Sequence, residues 1–454
     1  MAESSDREFV SGVVEGFYGP PWTPGERAEL LEWMSAGGLN TYLYAPKDDV
    51  KHRAVWRELY EPSEAHDLAA RIAACRARGI RFVYALSPGL DIRYNDAEEL
   101  SRILARFEQL LTLGCEDFAL LFDDIPDAMR EEDRQAYGSF AAAQVAVTNA
   151  VFRWVRERGP LARFFFCPTP YCQRMADRQL GGADYLETIG RELASEIDVF
   201  WTGPEIISRE ITVPHLRALQ ARLRRRPLIW DNLFANDYDG RRFYCGPYAG
   251  RPTELRDEVS GILCNPNTEF PLNFAPLRTF AAYCRAEGDW NPRSAYLAAM
   301  EAWLPRFATR RALAALDDLL LFGDAYYLPY EEGPEAEELT RAFGEFVREP
   351  ESIPSEDVEA LLCRAIRLKD FCAALADLCD RPLFYALHRR AWELREELDL
   401  LIGYVRRKQA DPRARCASDF HLPGVYRGGI VAKLQRTLTQ RPDGTLVPTA
   451  DAER

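Results

Sequence analysis

Residues 117–124, DFALLFDD, form an apolar run that ends in two adjacent carboxylates, Asp123 and Asp124. Short apolar runs of this kind predict buried strands, and Asp is disfavoured within strands. Because side chains alternate along a strand, two adjacent acids cannot both face inward while the strand stays regular. We therefore expect one acid to leave the strand at its end, which lets the pair contact different parts of one ligand.

Seven further apolar runs alternate with longer amphipathic segments between residues 12 and 290. They are GVVEG (12–16), TYLYAP (41–46), FVYALSP (82–88), RFFFCPTPY (163–171), DVFWTG (198–203), PLIWDN (227–232) and GILCNP (261–266). This alternation predicts about eight parallel strands joined by helices. Two α/β architectures fit it, a closed (β/α)₈ barrel and a doubly wound open sheet.

The helix after the first run carries clear end signals. Thr23 stands at the N-cap, Pro24 at the first helical position and Glu26 at the capping-box position. Gly37 predicts the end of this helix.

The strand ends favour the barrel. Almost every predicted strand ends in polar, aromatic or Gly/Pro residues, as in EGFYGPPW, APKDD, SPGLD, FDDIP, CPTPY, WTGPE, WDNLFANDYD and CNPNTEF. In a barrel these carboxyl ends converge on one rim, where barrel active sites lie. Packing alone does not account for the pattern, so we predict an N-terminal tail at 1–8 and a (β/α)₈ TIM barrel at 9–290.

The sequence after the barrel predicts only helices. In two stretches apolar residues recur in steps of three and four, from Val358 to Cys379 and from Phe384 to Val405, as in a bundle or coiled-coil seam. We therefore predict an all-α helical bundle domain at 291–410.

The last part of the chain carries weaker signals. We expect residues 411–454 to be an irregular C-terminal segment, with RPDGTLVPTADAER polar enough to be a mobile tail.

The composition excludes several partners. A formal net charge of -14 repels polyphosphate and anionic membrane surfaces, so we expect neither nucleic acid nor a membrane as partner. The N-terminal MAESSDREF is polar and no apolar run reaches the ~18 residues of a membrane span, which predicts a cytoplasmic protein. The 11 cysteines form no CxxC pair and no two of the 5 histidines have ligand spacing, so we expect no metal and no cofactor.

The acid pair alone has two interpretations. Bringing two carboxylates together raises the pKa of at least one, which suits a general acid working near neutral pH. Helix capping or cation binding in a βα loop would need the same residues.

A resemblance favours the first interpretation. Seven segments at predicted strand ends closely resemble, in order, motifs of glycoside hydrolase family 84, the β-N-acetylglucosaminidases. They are GVVEGFYGPPWTPGER, YLYAPKDDVKHR, FDDIP, FCPTPYC, WTGP, WDNLFANDYDGRRFYCGPY and GILCNPNTEFPLNF. The resemblance covers about residues 9–285, and the segment after 290 is similar, less specifically, to the helical domain that follows the barrel in this family.

The resemblance implies a retaining exo-acting enzyme in which the sugar's own 2-acetamido oxygen attacks the anomeric carbon and forms an oxazoline. It implies that Asp123 orients and polarises the acetamido N–H, and that Asp124 is the general acid and later the base. Because the substrate carries the nucleophile, the usual ~5 to 5.5 Å separation of retaining carboxylates need not apply.

The same motifs imply contacts with the sugar ring. Gly16 would offer its backbone carbonyl to a hydroxyl, and Lys47 would reach a hydroxyl and the acetamido edge. Asp237 and Asn265 would bind ring hydroxyls. Gly16 as a turn residue is the structural alternative, as is a surface ion pair of Lys47 with Asp48 or Asp49.

Further residues are implied around the acetamido group. Tyr171 and Asn232 would face it, and Trp230 would pack on its methyl, with barrel core as the alternative for Trp230. Tyr18 and Asn236 would either line the site or cap it. These residue types suit a neutral polyol, which acids, amides and an aromatic face hold.

Three functions remain open at this point. The first is removal of O-linked GlcNAc from Ser/Thr of glycoproteins, as in the protein O-GlcNAcases of the family. The second is cleavage of GlcNAc-terminated oligosaccharides or hyaluronan fragments. The third is a catalytically silent sugar-binding or interaction protein. The resemblance also implies a homodimer formed through the helical domain.

Overall fold

The structure is a computed structural model that describes residues 8–159, 163–312, 314–417 and 428–449. These residues fall into two compact units. The first comprises 8–237, 248–268 and 280–290, and the second comprises 238–247, 269–279 and the described residues from 291 onward. The last segment of the first unit ends at Trp290, and two short segments before this residue belong to the second unit. The boundary near 290 stays a prediction. Most of the predicted N-terminal tail lies outside the described residues.

The first unit contains a closed barrel of eight parallel strands in sequential order. The strands are β1 (Val10–Glu15), β2 (Thr41–Tyr44), β3 (Arg81–Leu86), β4 (Asp117–Leu121), β5 (Phe164–Cys167), β6 (Asp198–Trp201), β7 (Leu228–Asp231) and β8 (Gly261–Cys264). Strand β8 closes the barrel by pairing with β1, Val10 opposite Gly261 and Val13 opposite Cys264. The predicted TIM barrel is therefore confirmed, and the doubly wound sheet is wrong.

The barrel interior follows from the alternation of side chains along the strands. Every second residue points inward, so Val83 and Ala85 from β3 and Ala119 and Leu121 from β4 share one buried cluster. The strands are rich in Val, Leu and Phe because helices cover the outside of a parallel barrel.

Helices follow most of these strands. They are α1 (Pro24–Gly37), α2 (Pro62–Arg76), α3 (Ala97–Thr112), α4 (Glu131–Tyr137), α5 (Phe140–Arg158), α6 (Gln173–Asp177), α7 (Tyr185–Glu192), α8 (Val213–Leu223) and α9 (Phe274–Arg285). The segment between β7 and β8 instead carries a 3₁₀ turn at Thr253–Glu258. The expectation of an α-helix after every strand is therefore wrong at this position.

The first helix shows how closely local signals set its ends. The Thr23 hydroxyl accepts a hydrogen bond from the Glu26 backbone N–H, and the Glu26 carboxylate accepts one from the Thr23 N–H, which confirms the capping box. The helix includes Gly37, and Gly38 takes the left-handed conformation at φ 71°. The stop is thus Gly38 and not Gly37, because the residue after the last helical turn adopts positive φ.

The second unit is mainly helical. Its elements are α10 (Pro292–Trp303), α11 (Leu316–Ala325), α12 (Pro334–Arg348), α13 (Ser355–Ala374), α14 (Arg381–Ala410), α15 (Gly429–Gln435), β9 (Leu438–Gln440) and β10 (Leu446–Pro448). Helix α14 buries Leu387, Leu394, Leu398, Leu401 and Val405, the spacing predicted for a seam. Within the described residues no helix is long and apolar enough to cross a membrane.

The end of the described chain differs from the irregular segment predicted. β9 and β10 form an antiparallel hairpin in which Leu438 pairs with Pro448. Asp443 Oδ1 accepts a hydrogen bond from Thr445 N at 3.0 Å, and Gly444 has φ 81°. The Asp-Gly pair is a hairpin signal that outweighs the polar composition of this segment. Residues 450–454 of the predicted tail lie outside the described residues.

Candidate active site

The predicted site residues all lie in the first unit, at or after the carboxyl ends of barrel strands. They come from six of the eight strand ends: Gly16 after β1, Lys47 after β2, Asp123 and Asp124 after β4, Tyr171 after β5, Trp230, Asn232 and Asp237 on or after β7, and Asn265 after β8. Parallel strands place these ends on one rim of the barrel, where barrel active sites form.

Asp123 is a buried carboxylate bound by cations on one oxygen. Its Oδ2 accepts a hydrogen bond from Lys47 Nζ and lies 3.8 Å from Arg53 Nη1. Its Oδ1 is buried and accepts no hydrogen bond from any described residue. A buried acceptor without a partner is energetically unfavourable, so this oxygen is ready to accept an N–H or O–H from a ligand.

The protonation of Asp123 follows from its neighbours. Burial raises the pKa of this carboxyl, but the charges of Lys47 and Arg53 and the Lys47 hydrogen bond outweigh burial and hold the pKa below its ordinary value. The pairing of the two acids therefore does not raise the pKa of Asp123. Asp123 is ionised at neutral pH and acts as an acceptor only.

Asp124 has different surroundings from its neighbour. Its side chain is exposed, and two phenols hold it: Tyr171 donates to Oδ1 at 2.8 Å and Tyr18 donates to Oδ2 at 3.0 Å. Burial, and then the Asp124 charge, raise the pKa of both phenols, so the hydroxyls stay protonated and donate. Asp124 itself has φ 49°, a left-handed conformation that turns the backbone directly after Asp123.

One wall of the rim is formed by an indole ring. Trp230 is buried and belongs to the barrel-core cluster, yet Lys47 Nζ lies 5.7 Å from its ring centroid. A Cβ built on Gly16 would lie 2.3 Å from Trp230 Cζ2, so only glycine allows this approach of the ring to the backbone. Trp230 is thus both core and rim, and Gly16 is explained by close packing rather than by a turn.

Lys47 does not make the surface ion pair considered as its alternative. Its partner is Asp123, whereas Asp48 Oδ2 accepts from Gly19 N at 2.6 Å and Asp49 Oδ2 accepts from Tyr44 OH at 2.8 Å.

Two amides continue the rim beside Trp230. Asn232 Oδ1 accepts hydrogen bonds from Trp230 Nε1 at 3.0 Å and from Asn265 Nδ2 at 2.9 Å, and Asn232 Nδ2 donates to Ile206 O. Asn265 Oδ1 is buried and accepts no hydrogen bond from a described residue. Asn265, like Asp123, therefore has an acceptor for a ligand donor.

Two further polar residues connect the β1 and β7 loops. Asp237 Oδ2 accepts from Tyr18 N at 2.9 Å, which holds Tyr18 next to Asp124. Asn236 is buried, and its Oδ1 accepts from Thr268 N at 2.8 Å. Tyr18 thus lines the acid pair, whereas Asn236 caps a loop.

Arg53 and His52 were not predicted from the sequence. Arg53 contacts both acids, as described above for Asp123, and donates to Asp124 O at 2.8 Å. His52 is fully buried, its Nδ1 pairs with Ala85 O at 2.8 Å, and burial and the Lys47 charge lower its pKa to about 4. Both lie in YLYAPKDDVKHR, and the run of charged residues directly after a buried strand was the available signal.

The arrangement combines one buried ionised carboxylate, one exposed carboxylate and a set of amide, phenol and indole groups. Within 8–159, 163–312, 314–417 and 428–449, no three His, Cys, Asp or Glu side chains are grouped so that they could hold a metal ion. A pair of carboxylates at the active-site rim of a TIM barrel is compatible with glycoside hydrolysis.

The family model described as beta-N-acetylglucosaminidase (NAGidase) matches residues 11–318, more than half of the chain. The chain therefore belongs to the beta-N-acetylglucosaminidase family of glycoside hydrolases.

Its relatives include the protein O-GlcNAcases of Rattus norvegicus and Mus musculus, each 44% identical over 285 residues. That alignment covers 63% of this chain and 31% of each relative, so the chain matches about a third of the length of these curated proteins. A solved structure of an O-GlcNAc hydrolase variant from Thermobaculum terrenum superimposes with a TM-score of 0.79 at 30% identity, covering 89% of this chain and 85% of that one.

Proposed function

We propose that this protein is a retaining exo-β-N-acetylglucosaminidase that removes O-linked GlcNAc from Ser/Thr of glycoproteins by substrate-assisted catalysis. The observation that carries the proposal is the pair of unlike acids, with the buried Asp123 leaving Oδ1 open and Asp124 held at the surface by two phenols. The names of the matched relatives support the substrate class.

Asp123 acts on the nucleophile. Its open oxygen accepts the acetamido N–H, which orients the acetamido group and makes the carbonyl oxygen more nucleophilic toward the anomeric carbon. Because Lys47 and Arg53 lower the pKa of Asp123, the carboxylate stays ionised while it does so. Closure of the oxazoline ring expels the leaving group. Water then opens the oxazoline, and the two steps together retain the configuration of the anomeric carbon.

Asp124 moves the proton. It protonates the glycosidic oxygen as the bond to the anomeric carbon breaks, and it then removes a proton from the water that opens the oxazoline. Tyr171 and Tyr18 hold its two oxygens, which restricts the carboxyl to one orientation.

The other rim residues bind the sugar. Asp237 and the open Oδ1 of Asn265 accept hydrogen bonds from ring hydroxyls. The Gly16 carbonyl accepts a hydrogen bond from a third hydroxyl. Lys47 donates to the hydroxyl and acetamido edge. Two further residues surround the acetamido group: Trp230 packs on its methyl, and Asn232 supports both Trp230 and Asn265 through the hydrogen bonds described above.

Turnover of an aryl β-N-acetylglucosaminide tests the activity. We expect hydrolysis with retention, and rates that fall as the acetyl hydrogens are replaced by fluorine, because fluorine makes the carbonyl oxygen a poorer nucleophile. A covalent sugar ester on Asp123 or Asp124, or indifference to fluorination when chemistry limits the rate, would contradict the mechanism. No turnover at all would instead favour the silent sugar-binding protein.

A second assay separates the substrates. We expect faster GlcNAc release from a modified Ser/Thr peptide than from a chitooligosaccharide or a hyaluronan fragment. The reverse order would assign the enzyme to glycans.

We also propose a homodimer formed through the helical domain. On α14 the aromatic residues Tyr385 and Trp392 are 63% and 57% exposed, and their separation of seven residues places them on one helix face. Sedimentation at micromolar concentration should show a dimer that Trp392→Glu weakens, and a monomer in the wild type would contradict this. The cytoplasmic location stays a prediction, which cell fractionation tests.

A further inference from the structure

Arg53 binds the backbone of both acids from a neighbouring loop. Its side chain is buried, in the segment between β2 and α2. Nη2 donates to Asp124 O at 2.8 Å, and both terminal nitrogens lie 3.4 Å from Asp123 O. Nη1 also donates to Ser87 Oγ at 3.3 Å. One guanidinium therefore connects the ends of β3 and β4.

These two carbonyls define the conformation of Asp124. The peptide group that contains Asp123 O precedes the Asp124 Cα, and the one that contains Asp124 O follows it. Holding both groups fixes φ and ψ of Asp124. Its φ of 49° lies in the left-handed region, which Asp visits more readily than most residues with a Cβ but at a cost in free energy, and the two carbonyl contacts stabilise it there.

Arg53 also contacts the group that holds the Asp124 carboxylate. Its guanidinium carbon lies 6.0 Å from the centroid of the Tyr18 ring, and the Tyr18 hydroxyl donates to Asp124 Oδ2. The same cation thus acts on Asp124 at its backbone and, through Tyr18, at its side chain.

We propose that Arg53 is a positioning residue for Asp124. The Arg53 guanidinium imposes the left-handed turn at Asp124. This turn orients the Asp124 carboxylate toward Tyr18 and Tyr171 while Asp123 faces Lys47. The proposal rests on the proposed function for its kinetic test only. A simple charge role is the competing explanation, since Arg53 Nη1 lies 3.8 Å from Asp123 Oδ2. Lys47 already supplies the nearer charge, and a point charge does not hold two carbonyls at once.

Arg53→Lys separates the two explanations, because it keeps the buried charge and removes the planar guanidinium that contacts both carbonyls. We expect kcat/KM to fall about 10- to 100-fold more for aryl β-N-acetylglucosaminides with poor leaving groups than for those with activated ones, the size expected for a misplaced acid. The matched control is Arg225→Lys, since the Arg225 guanidinium also donates to backbone carbonyls, those of Leu193, Ala194 and Ile197. This control should leave the dependence on the leaving group unchanged.

Crystal structures of Arg53→Lys and Arg53→Gln provide the second measurement, which needs no activity. We expect Asp124 to leave the positive-φ region and the Tyr171 hydrogen bond to Asp124 to lengthen. Equal losses for all leaving groups, or an unchanged Asp124 conformation in either crystal structure, would overturn the proposal. If the wild type hydrolyses no glycoside, the proposed function fails and the crystal structures alone decide the role of Arg53.

Discussion

Two buried carboxylates at the carboxyl ends of barrel strands, Asp231 in the barrel wall and Asp123 at its rim, differ in how completely the protein binds them. Asp231 Oδ2 accepts from Tyr248 OH at 2.6 Å and Arg251 Nε at 2.7 Å, and its Oδ1 accepts from Arg251 Nη2 at 2.7 Å and Leu233 N at 3.1 Å. Asp123 uses Oδ2 for Lys47 and leaves Oδ1 without a described partner.

The difference indicates which buried charge is structural and which can act on a ligand. A buried carboxylate whose two oxygens each accept two hydrogen bonds, like Asp231, connects chain segments and has no acceptor site left for a ligand. A buried carboxylate oxygen that accepts no hydrogen bond destabilises the free protein. A ligand that donates a hydrogen bond to this oxygen removes the destabilisation.

The exposed neighbour of Asp123 gives the largest expected effect. Asp124→Ala should lose roughly the 10² to 10⁴-fold typical of general acid catalysis on substrates with poor leaving groups, and far less on activated aryl substrates. The activated group leaves without its proton, so the two substrate classes serve as controls for each other. Equal losses on both would remove Asp124 from the acid role.

Isosteric amides at the two buried positions test the comparison directly. In Asp231→Asn the side-chain NH₂ faces hydrogen-bond donors in either orientation of the amide. The substitution also leaves Arg251 without its charge partner. We expect a loss of about 3 to 5 kcal/mol in the free energy of unfolding, measured by urea denaturation. Asp123→Asn also leaves the buried cations Lys47 and Arg53 without their charge partner, but it can put its NH₂ where Oδ1 has no donor, so it should lose less. A larger loss for Asp123→Asn would break the comparison.

The second unit extends the comparison to Glu397, a buried carboxyl that no cation among the described residues neutralises. Burial raises the pKa of Glu397 on α14 to about 7, a hydrogen bond from Gln435 acts in the opposite direction, and Oε1 has no partner among the described residues. At pH values between the unfolded-state and the folded-state pKa of Glu397, its carboxyl is ionised in the unfolded chain and protonated in the folded protein. The free energy of unfolding therefore falls as the pH rises from about 4.5 to 7. The loss is about 3 kcal/mol for a shift of this size.

Glu397→Gln is the matched variant for this effect. Wild type should lose stability relative to Glu397→Gln between pH 5 and pH 8 in urea denaturation. Parallel curves over this interval would show that Glu397 is not protonated in the folded protein.

The proposed role of Asp123 in positioning the nucleophile gives the next effect. Asp123→Asn should slow the ring-closing step about 10²-fold even for activated aryl substrates, because the acidity of the leaving group cannot replace lost positioning. Single-turnover rates across a series of leaving groups measure this. A loss confined to poor leaving groups would assign the acid role to Asp123.

Asp237 gives the smallest expected effect. Asp237→Ala should weaken substrate and transition state together by about 1.5 to 3 kcal/mol, as for a lost charged hydrogen bond. The result is a raised KM with a lowered kcat/KM. Because the Asp237 carboxylate also holds Tyr18 N, a crystal structure of the variant should show whether Tyr18 still contacts Asp124. Unchanged kinetics in a folded variant would place Asp237 outside the sugar site.

The sequence by itself determined the eight strands, the capping box of α1 and the positions of the two acids, because periodicity, capping and turn chemistry depend on neighbours along the chain. It also placed Lys47, Trp230 and Asn265 at strand ends. The 3₁₀ turn between β7 and β8 and the terminal hairpin were missed, since their signals are weak or compete with composition.

Only the tertiary structure decided how the acids differ. The guanidinium that holds Asp124 O comes from Arg53, 71 residues earlier in the chain, and the cation that lowers the pKa of Asp123 comes from another strand end. The left-handed turn at Asp124, the lowered pKa of Asp123 and its open oxygen all depend on groups that barrel closure brings together. Electrostatic and hydrogen-bonding effects act through space, so residue order along the chain does not specify them.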